Sequence, residues 1–222
     1  GLANVQAALG QHEVAHAALR RVLGRFEQLY GFDHPRTAGA RLNLGSQLVE
    51  AKRFAEAERE LLLALEYYES KHDARDPSLP YVLLDLGRAR AGMGRHAEGL
   101  IYLEDALAHW ERALGADHPK LAWAWREIGD VHLTLGDRVA ARRAFAAALE
   151  AHDVTTNDPL HLGDLNFGMA RASVDDDVDT ALRHARRARR LYRGSVYRIV
   201  EAEAVEAFID RYDSSSPGAE EP

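Results

Sequence analysis

Cysteine is absent from this 222-residue chain, lysine occurs only at Lys52, Lys71 and Lys120, and methionine only at Met93 and Met169. The lack of cysteine excludes disulfide scaffolds, thiol nucleophiles and cysteine-based zinc sites, and leaves the redox compartment open. No stretch approaches ~18 uninterrupted apolar residues, so the sequence holds no transmembrane helix. A signal-peptide pattern and an initiator methionine are both missing. Gly1-Leu2-Ala3-Asn4 therefore reads as the middle of a longer protein. The net charge of −7 disfavours general binding to nucleic acid or anionic membranes at the whole-chain level.

What the chain does contain is helix-forming. It carries 38 alanines and 25 arginines, against only 7 prolines. Ala and Arg are strong helix formers, and this composition points to an all-α protein. The preference for Arg over Lys, with so much Ala, also fits a GC-rich bacterial genome.

Repetition organises these residues. Pro35, Pro77 and Pro119 follow one another at 42 residues, and Pro159 comes 40 later. The same 42-residue step joins Gly45, Gly87 and Gly129, and also Gly10, Lys52, Gly94 and Gly136. A small column runs through Ala15, Ala57, Gly99 and Ala141, and a large one through Leu19, Leu61, Leu103 and Phe145. A second large column runs through Leu23, Leu65, Leu107 and Leu149. Chance does not align six columns, so the period is the organising fact of the fold.

Each period reads as two helices. First helices are expected over Thr37–Glu50, Leu79–Gly92 and Leu121–Leu135, and second helices over Phe54–Lys71, His96–Leu114 and Arg138–His152. Glycine in the intervening turn supplies a left-handed cap. The linker prolines suit the first helical position, and the Asp or His before each can cap free amides. The small columns allow close helix approach, while the large ones fill the space between. The units expected are 1–34, 35–76, 77–118, 119–158 and 159–194, then a capping helix over 195–212 and a disordered acidic tail, 213–222. In the last unit the register is open between Met169 and Gly168 at the small position. Its turn is expected over Val174 to Asp179 and its second helix over Leu182 to Arg193.

At these residues a family becomes recognisable. The stretch Trp125-Arg126-Glu127-Ile128-Gly129 through Ala141 and Phe145 resembles a tetratricopeptide repeat, with Leu83, Leu86, Gly87 and Leu103 matching one unit earlier. The 42-residue period and the Gly115-Ala116-Asp117-His118-Pro119 linker resemble the kinesin-light-chain subtype. The resemblance covers nearly all of residues 2–193 and implies a right-handed α–α superhelix, a tetratricopeptide solenoid with a C-terminal capping helix. It also implies a non-catalytic module that binds a protein or peptide segment.

One motif points elsewhere. His12-Glu13-Val14-Ala15-His16 matches the zinc-protease pattern H-E-x-x-H. Yet Ala15 belongs to the small column, His12 is in register with Phe54, His96 and Arg138, and Leu19 stands where the extended signature requires glycine. No third ligand lies at usable spacing, and the motif is read as repeat helix. No catalytic triad ordering, phosphate loop or kinase signature is present, so no enzyme activity, metal or cofactor is expected.

The binding residues are placed by helical spacing. Counting from each column glycine along an i, i+3, i+4, i+7 stripe selects Gly39, Leu42, Asn43 and Ser46, then Tyr81, Leu84, Asp85 and Arg88, then Trp123, Arg126, Glu127 and Asp130. Aromatic and arginine anchors rank highest among these. The candidate groove is therefore Asn43, Tyr81, Asp85, Arg88, Trp123, Arg126, Glu127 and Asp130. In kinesin-light-chain-like repeats, Asn precedes the small position by two residues. Asn43 keeps it, while Asp85 and Glu127 replace it, pointing to a ligand with basic or N–H-rich groups. The alternative is that Tyr81 and Trp123 pack between repeats and the arginines pair with neighbouring carboxylates.

Arg183, Arg186, Arg187 and Arg190 form a candidate basic docking patch, following Asp175, Asp176, Asp177 and Asp179. The same pattern also suits a solvated helix whose charges complement its dipole. Arrays resembling this one occur in C-terminal regions of myxobacterial serine/threonine kinases and other bacterial signalling proteins. The expectation is a cytoplasmic regulatory or scaffolding region, with no nucleic acid as partner. The alternatives are a homo-oligomeric assembly element and the sensor region of a transcription regulator.

Overall fold

The computed structural model describes residues 12–71, 76–152, 158–193, 195 and 198–213. Gly10 of the turn column and the expected tail beyond Asp213 lie outside them. The described residues form ten helices and no strand. These are α1 (His12–Tyr30), α2 (Pro35–Glu50), α3 (Phe54–Ser70), α4 (Leu79–Gly92) and α5 (His96–Leu114) in a first compact unit, Gly1–Leu114. The second unit, Gly115–Pro222, holds α6 (Leu121–Thr134), α7 (Arg138–Ala151), α8 (Pro159–Ser173), α9 (Val178–Tyr192) and α10 (Ile199–Tyr212). Within each unit every helix packs on its chain neighbours, and α2 also touches α4 as α6 touches α8.

The packing columns behave as their residue sizes require. Leu61, Leu103 and Phe145 are all fully buried. A Cβ on Gly87 would come 2.6 Å from Leu103 Cγ, and one on Gly129 would come 2.8 Å from Phe145 Cζ. Glycine is therefore the space into which the larger residue of the paired helix fits. At the turns, Gly94 (φ 80°) and Gly136 (φ 79°) take the left-handed conformation, and Lys52 takes it too (φ 58°).

Capping follows the expectation in two linkers and departs from it in the other two. His34 Nδ1 accepts from the Arg36 amide at 3.1 Å, and Asp158 Oδ1 accepts from His161 at 3.0 Å. Pro35 and Pro159 open their helices. Pro77 and Pro119 do not: α4 and α6 begin two residues after them. Ser78 and Lys120 instead close tight turns, with Asp76 Oδ1 accepting from Ser78 at 2.8 Å and His118 Nδ1 accepting from Lys120 at 3.2 Å. The helix α9 begins at Val178, earlier than the expected Leu182, because Asp177 accepts from the Thr180 amide at 2.9 Å and nucleates the first turn. A small apolar core (Ala185, Ala188, Tyr192, Val205, Ile209) then seats α10 on α9.

Candidate functional site

In the first unit the stripe lies on α2 and α4. Asn43 is exposed, while Leu42 and Ser46 are half-buried. The Ser46 hydroxyl bonds the Asp85 carboxylate across the two helices. Arg88 donates to Asp85 at 3.1 Å and to Glu50 at 2.7 Å. Asp85 keeps only 9% of its side chain exposed. Burial pushes its carboxyl above the ordinary value, against the pull of Arg88 and Ser46. Tyr81 packs edge-to-face on the buried Trp110 of α5, with ring centroids 5.3 Å apart. This contact lies within the unit 77–118 and not between repeats.

In the second unit the stripe lies on α6 and faces α8. Trp123 is exposed at 39%. Arg126 bonds Glu127 and lies 3.6 Å from Asp130 and 4.0 Å from Asp164. Arg171 approaches Asp130 at 3.7 Å. Asp164 also accepts from Tyr192 at 2.7 Å and from Arg198 at 2.9 Å. Burial raises the Asp164 carboxyl and the Tyr192 phenol, the latter helped by the carboxylate it bonds. The Asp130 carboxyl is pushed up to about 6 by desolvation, with Glu127 and Asp164 adding repulsion that Arg126 and Arg171 only partly offset. Its side chain is nevertheless 38% exposed.

The stripe count missed most of α8. Applied from Met169 it selects Gly163, Asn166, Phe167 and Ala170, and from Gly168 it also fails to reach Asp164. His161, Asp164 and Arg171 occupy a different face from the one the glycine column marks, so no spacing signal identified them.

The basic patch on α9 is partly committed to the fold. Arg183 donates to Thr180 Oγ1 at 2.6 Å, Arg186 pairs with Asp213 and Arg189 lies 3.2 Å from Glu206. Arg187 and Arg190 are exposed. The preceding acids are engaged as well, with Asp175 2.6 Å from Arg138 and Asp176 paired with Arg142. His16 of the H-E-x-x-H motif is fully buried, its Nε2 3.2 Å from the Gln47 carbonyl and its Nδ1 3.4 Å from Arg53. Its ring serves the packing of α1 on α2. None of the described helices is long and apolar enough to cross a membrane.

Models described as tetratricopeptide repeat match residues 79–153 and 1–36. The chain belongs to the tetratricopeptide repeat proteins, whose repeats are non-catalytic modules for protein interaction. No curated protein matches it. Among solved structures it is similar to BtubC (BKLC) from P. vanneervenii at 18% identity and a TM-score of 0.70, covering 86% of this chain and 76% of that one. It also resembles the TPR-like repeats of a kinesin light chain type from Podosopora anserina at 19% identity and a TM-score of 0.63, covering 96% and 94%. A Rap protein complexed with Competence and Sporulation Factor aligns at 13% identity and a TM-score of 0.63, over 95% of this chain and 60% of that one.

Proposed function

We propose that this chain is a peptide-binding region of a larger bacterial signalling protein, working in the cytoplasm, and that the first helices of its repeats present the binding residues. One observation carries the reading: Trp123, 39% exposed, stands on the same stripe of α6 as the partly exposed Arg126 and Asp130. Trp123 and Arg126 stand on the same stripe and are the anchors; Asn43, Asp85 and Arg88 are the polar contacts in the first unit. The Rap protein of the same fold, captured with Competence and Sporulation Factor, supports the reading, and the kinase-type parentage is supported by sequence resemblance.

The test is selection of random displayed peptides against the chain, followed by anisotropy measurements on those recovered. Trp123→Ala combined with Arg126→Ala is expected to abolish binding while the helical circular dichroism survives. Peptides bound equally well by the double variant would refute the reading.

Self-association is a second reading, favoured by the exposed apolar residues of α1. Val14 (52%), Val22 (42%) and Leu29 (71%) lie on one side of that helix. Light scattering that shows a monomer at every concentration would remove it.

A further inference from the structure

The self-association reading leaves open what the outer face of α1 meets. Val14, Val22 and Leu29 on that face are 52%, 42% and 71% exposed. Arg21 and Arg25 stand among them at helical spacing, both exposed, and the face carries no acid. Neither arginine forms an ion pair among the described residues. The face is apolar and cationic.

The last helix presents the opposite. Val205 and Ile209 hold α10 on α9, and the far side of α10 is open. There Ile199 and Val200 are 56% and 74% exposed, and Ala204 and Ala207 are exposed with them. The charges on this side are Glu203 and Asp210, both exposed and neither ion-paired among the described residues. At its margins Glu206 is engaged by Arg189, and Arg211 lies over the Tyr212 ring. A cleft of roughly 590 Å³ opens beside it between α9 and α10, lined by Tyr192, Ile199, Ala202 and Ala207. This face is apolar and anionic.

We infer that α1 of one copy of this chain docks on the open side of α10 and the adjoining α9–α10 cleft of another copy. This rests on the self-association reading and names the two surfaces that meet. Contact of like with like is disfavoured by charge. Arg21 and Arg25 occupy the middle of the α1 face, so an α1–α1 pair in either direction sets them against each other, and an α10–α10 pair does the same with Glu203 and Asp210. Unlike faces set cations on anions, and every copy supplies both. The lengths also suit: Val14 to Leu29 spans about 22 Å and Ile199 to Asp210 about 16 Å. An antiparallel register that seats Leu29 beside Ile199 and the cleft brings Arg25 level with Glu203, four residues on in each helix. Arg21 then stands within one turn of Asp210. Two single helix faces make a contact below the standard interface size, so the association is weak and is read at concentrations up to about 1 mM.

The test compares the whole chain with two surface variants by sedimentation equilibrium, with circular dichroism to show that each stays helical. Arg21→Glu with Arg25→Glu makes both faces acidic; Glu203→Arg with Asp210→Arg makes both basic. Each variant alone is expected to associate about tenfold more weakly than the parent chain, about 1.4 kcal/mol. An equimolar mixture of the two is expected to regain association, because each then offers the face that the other lacks. Added salt weakens the parent's association by screening the same charges. A mixture that associates no better than its components overturns the inference. An α10 variant that associates as the parent does also overturns it, and leaves self-association through α1 standing. A parent chain that is monomeric at every concentration refutes the self-association reading and the inference with it.

Discussion

Gly168 of α8 lies inside van der Waals contact of the Phe145 ring of α7, so that a Cβ at residue 168 would overlap the ring edge. Phe145 is fully buried and meets Gly129 of α6 in the same way. The ring has no free space to retreat into. Gly129→Ala and Gly168→Ala are each expected to cost about 1–3 kcal/mol through overpacking. Gly24→Ala in α1 is the control, because nothing lies within 4 Å of the added methyl. It is expected to stabilise by about 0.5–1 kcal/mol through helix propensity alone. Urea denaturation of the three variants separates packing from propensity.

The turn column yields a prediction of opposite sign. Lys52 adopts φ 58° where Gly94 and Gly136 hold the equivalent turns at φ 80° and 79°. The left-handed conformation costs a side-chain-bearing residue about 1–2 kcal/mol, and glycine avoids most of this at some cost in chain entropy. Lys52→Gly is therefore expected to stabilise the chain by up to about 1 kcal/mol. A fall in the denaturation midpoint would show that the lysine side chain stabilises the turn in some other way.

Much of this architecture was legible because the packing columns repeat. Gly87 against Leu103 and Gly129 against Phe145 are one steric device used twice, and a size alternation at fixed period is visible in sequence. The capping roles of His34 and Asp158 were legible for the same reason, since each precedes a linker proline, whereas Asp76 and His118 bond within the turns ahead of their helices. Asp164 and His161 were not. Their importance comes from which carboxylates and guanidinia α6 and α8 bring together, and charge convergence has no periodicity. The stripe count ranks Tyr81 among the anchors, and its half-buried ring also packs on Trp110. An aromatic on a half-buried face reads alike whether it meets a ligand or a neighbouring helix.

Ser46 and Asp85 test the first-unit stripe. The Ser46 hydroxyl favours the ionised form of Asp85, whose carboxyl burial already holds above its ordinary value. Ser46→Ala leaves a buried carboxylate with Arg88 as its remaining close donor and is expected to cost about 1–3 kcal/mol at neutral pH. Protonation removes the charge that needs the bond. The cost should therefore shrink as the medium is acidified, and a cost independent of pH would remove Asp85 from the explanation.

The second unit carries two opposing pH slopes. Asp130 titrates near 6 when folded, above its ordinary 3.8, so the folded state holds that proton more firmly. Its contribution to stability falls as pH rises from about 4 to about 6. His161 titrates near 4 when folded, below its ordinary 6.5, so the unfolded chain holds that proton more firmly. Its contribution rises with pH over about 4 to 6.5. Asp130→Asn should therefore gain stability relative to the parent chain as pH rises through this window. His161→Gln should show its relative gain at the acid end. Denaturation at three pH values distinguishes them, and parallel curves for both variants would contradict the assignments.

The seating of α10 on α9 sets apolar burial against ion pairing. Arg186–Asp213 and Arg189–Glu206 join the two helices, but their arginines are 42% and 39% exposed. Exposed pairs of this kind contribute about 0–1 kcal/mol each and are screened by salt. Val205 and Ile209 are 0% and 4% exposed against Ala185, Ala188 and Tyr192, and truncating such residues costs about 2–5 kcal/mol. The apolar contacts should therefore decide whether α10 stays seated. Val205→Ala with Ile209→Ala is expected to abolish hydrogen-exchange protection over 199–212. Arg186→Ala with Arg189→Ala should leave that protection largely intact at physiological salt. The reverse ranking would mean that the arginines of α9 hold the cap, and would leave fewer of them for any partner.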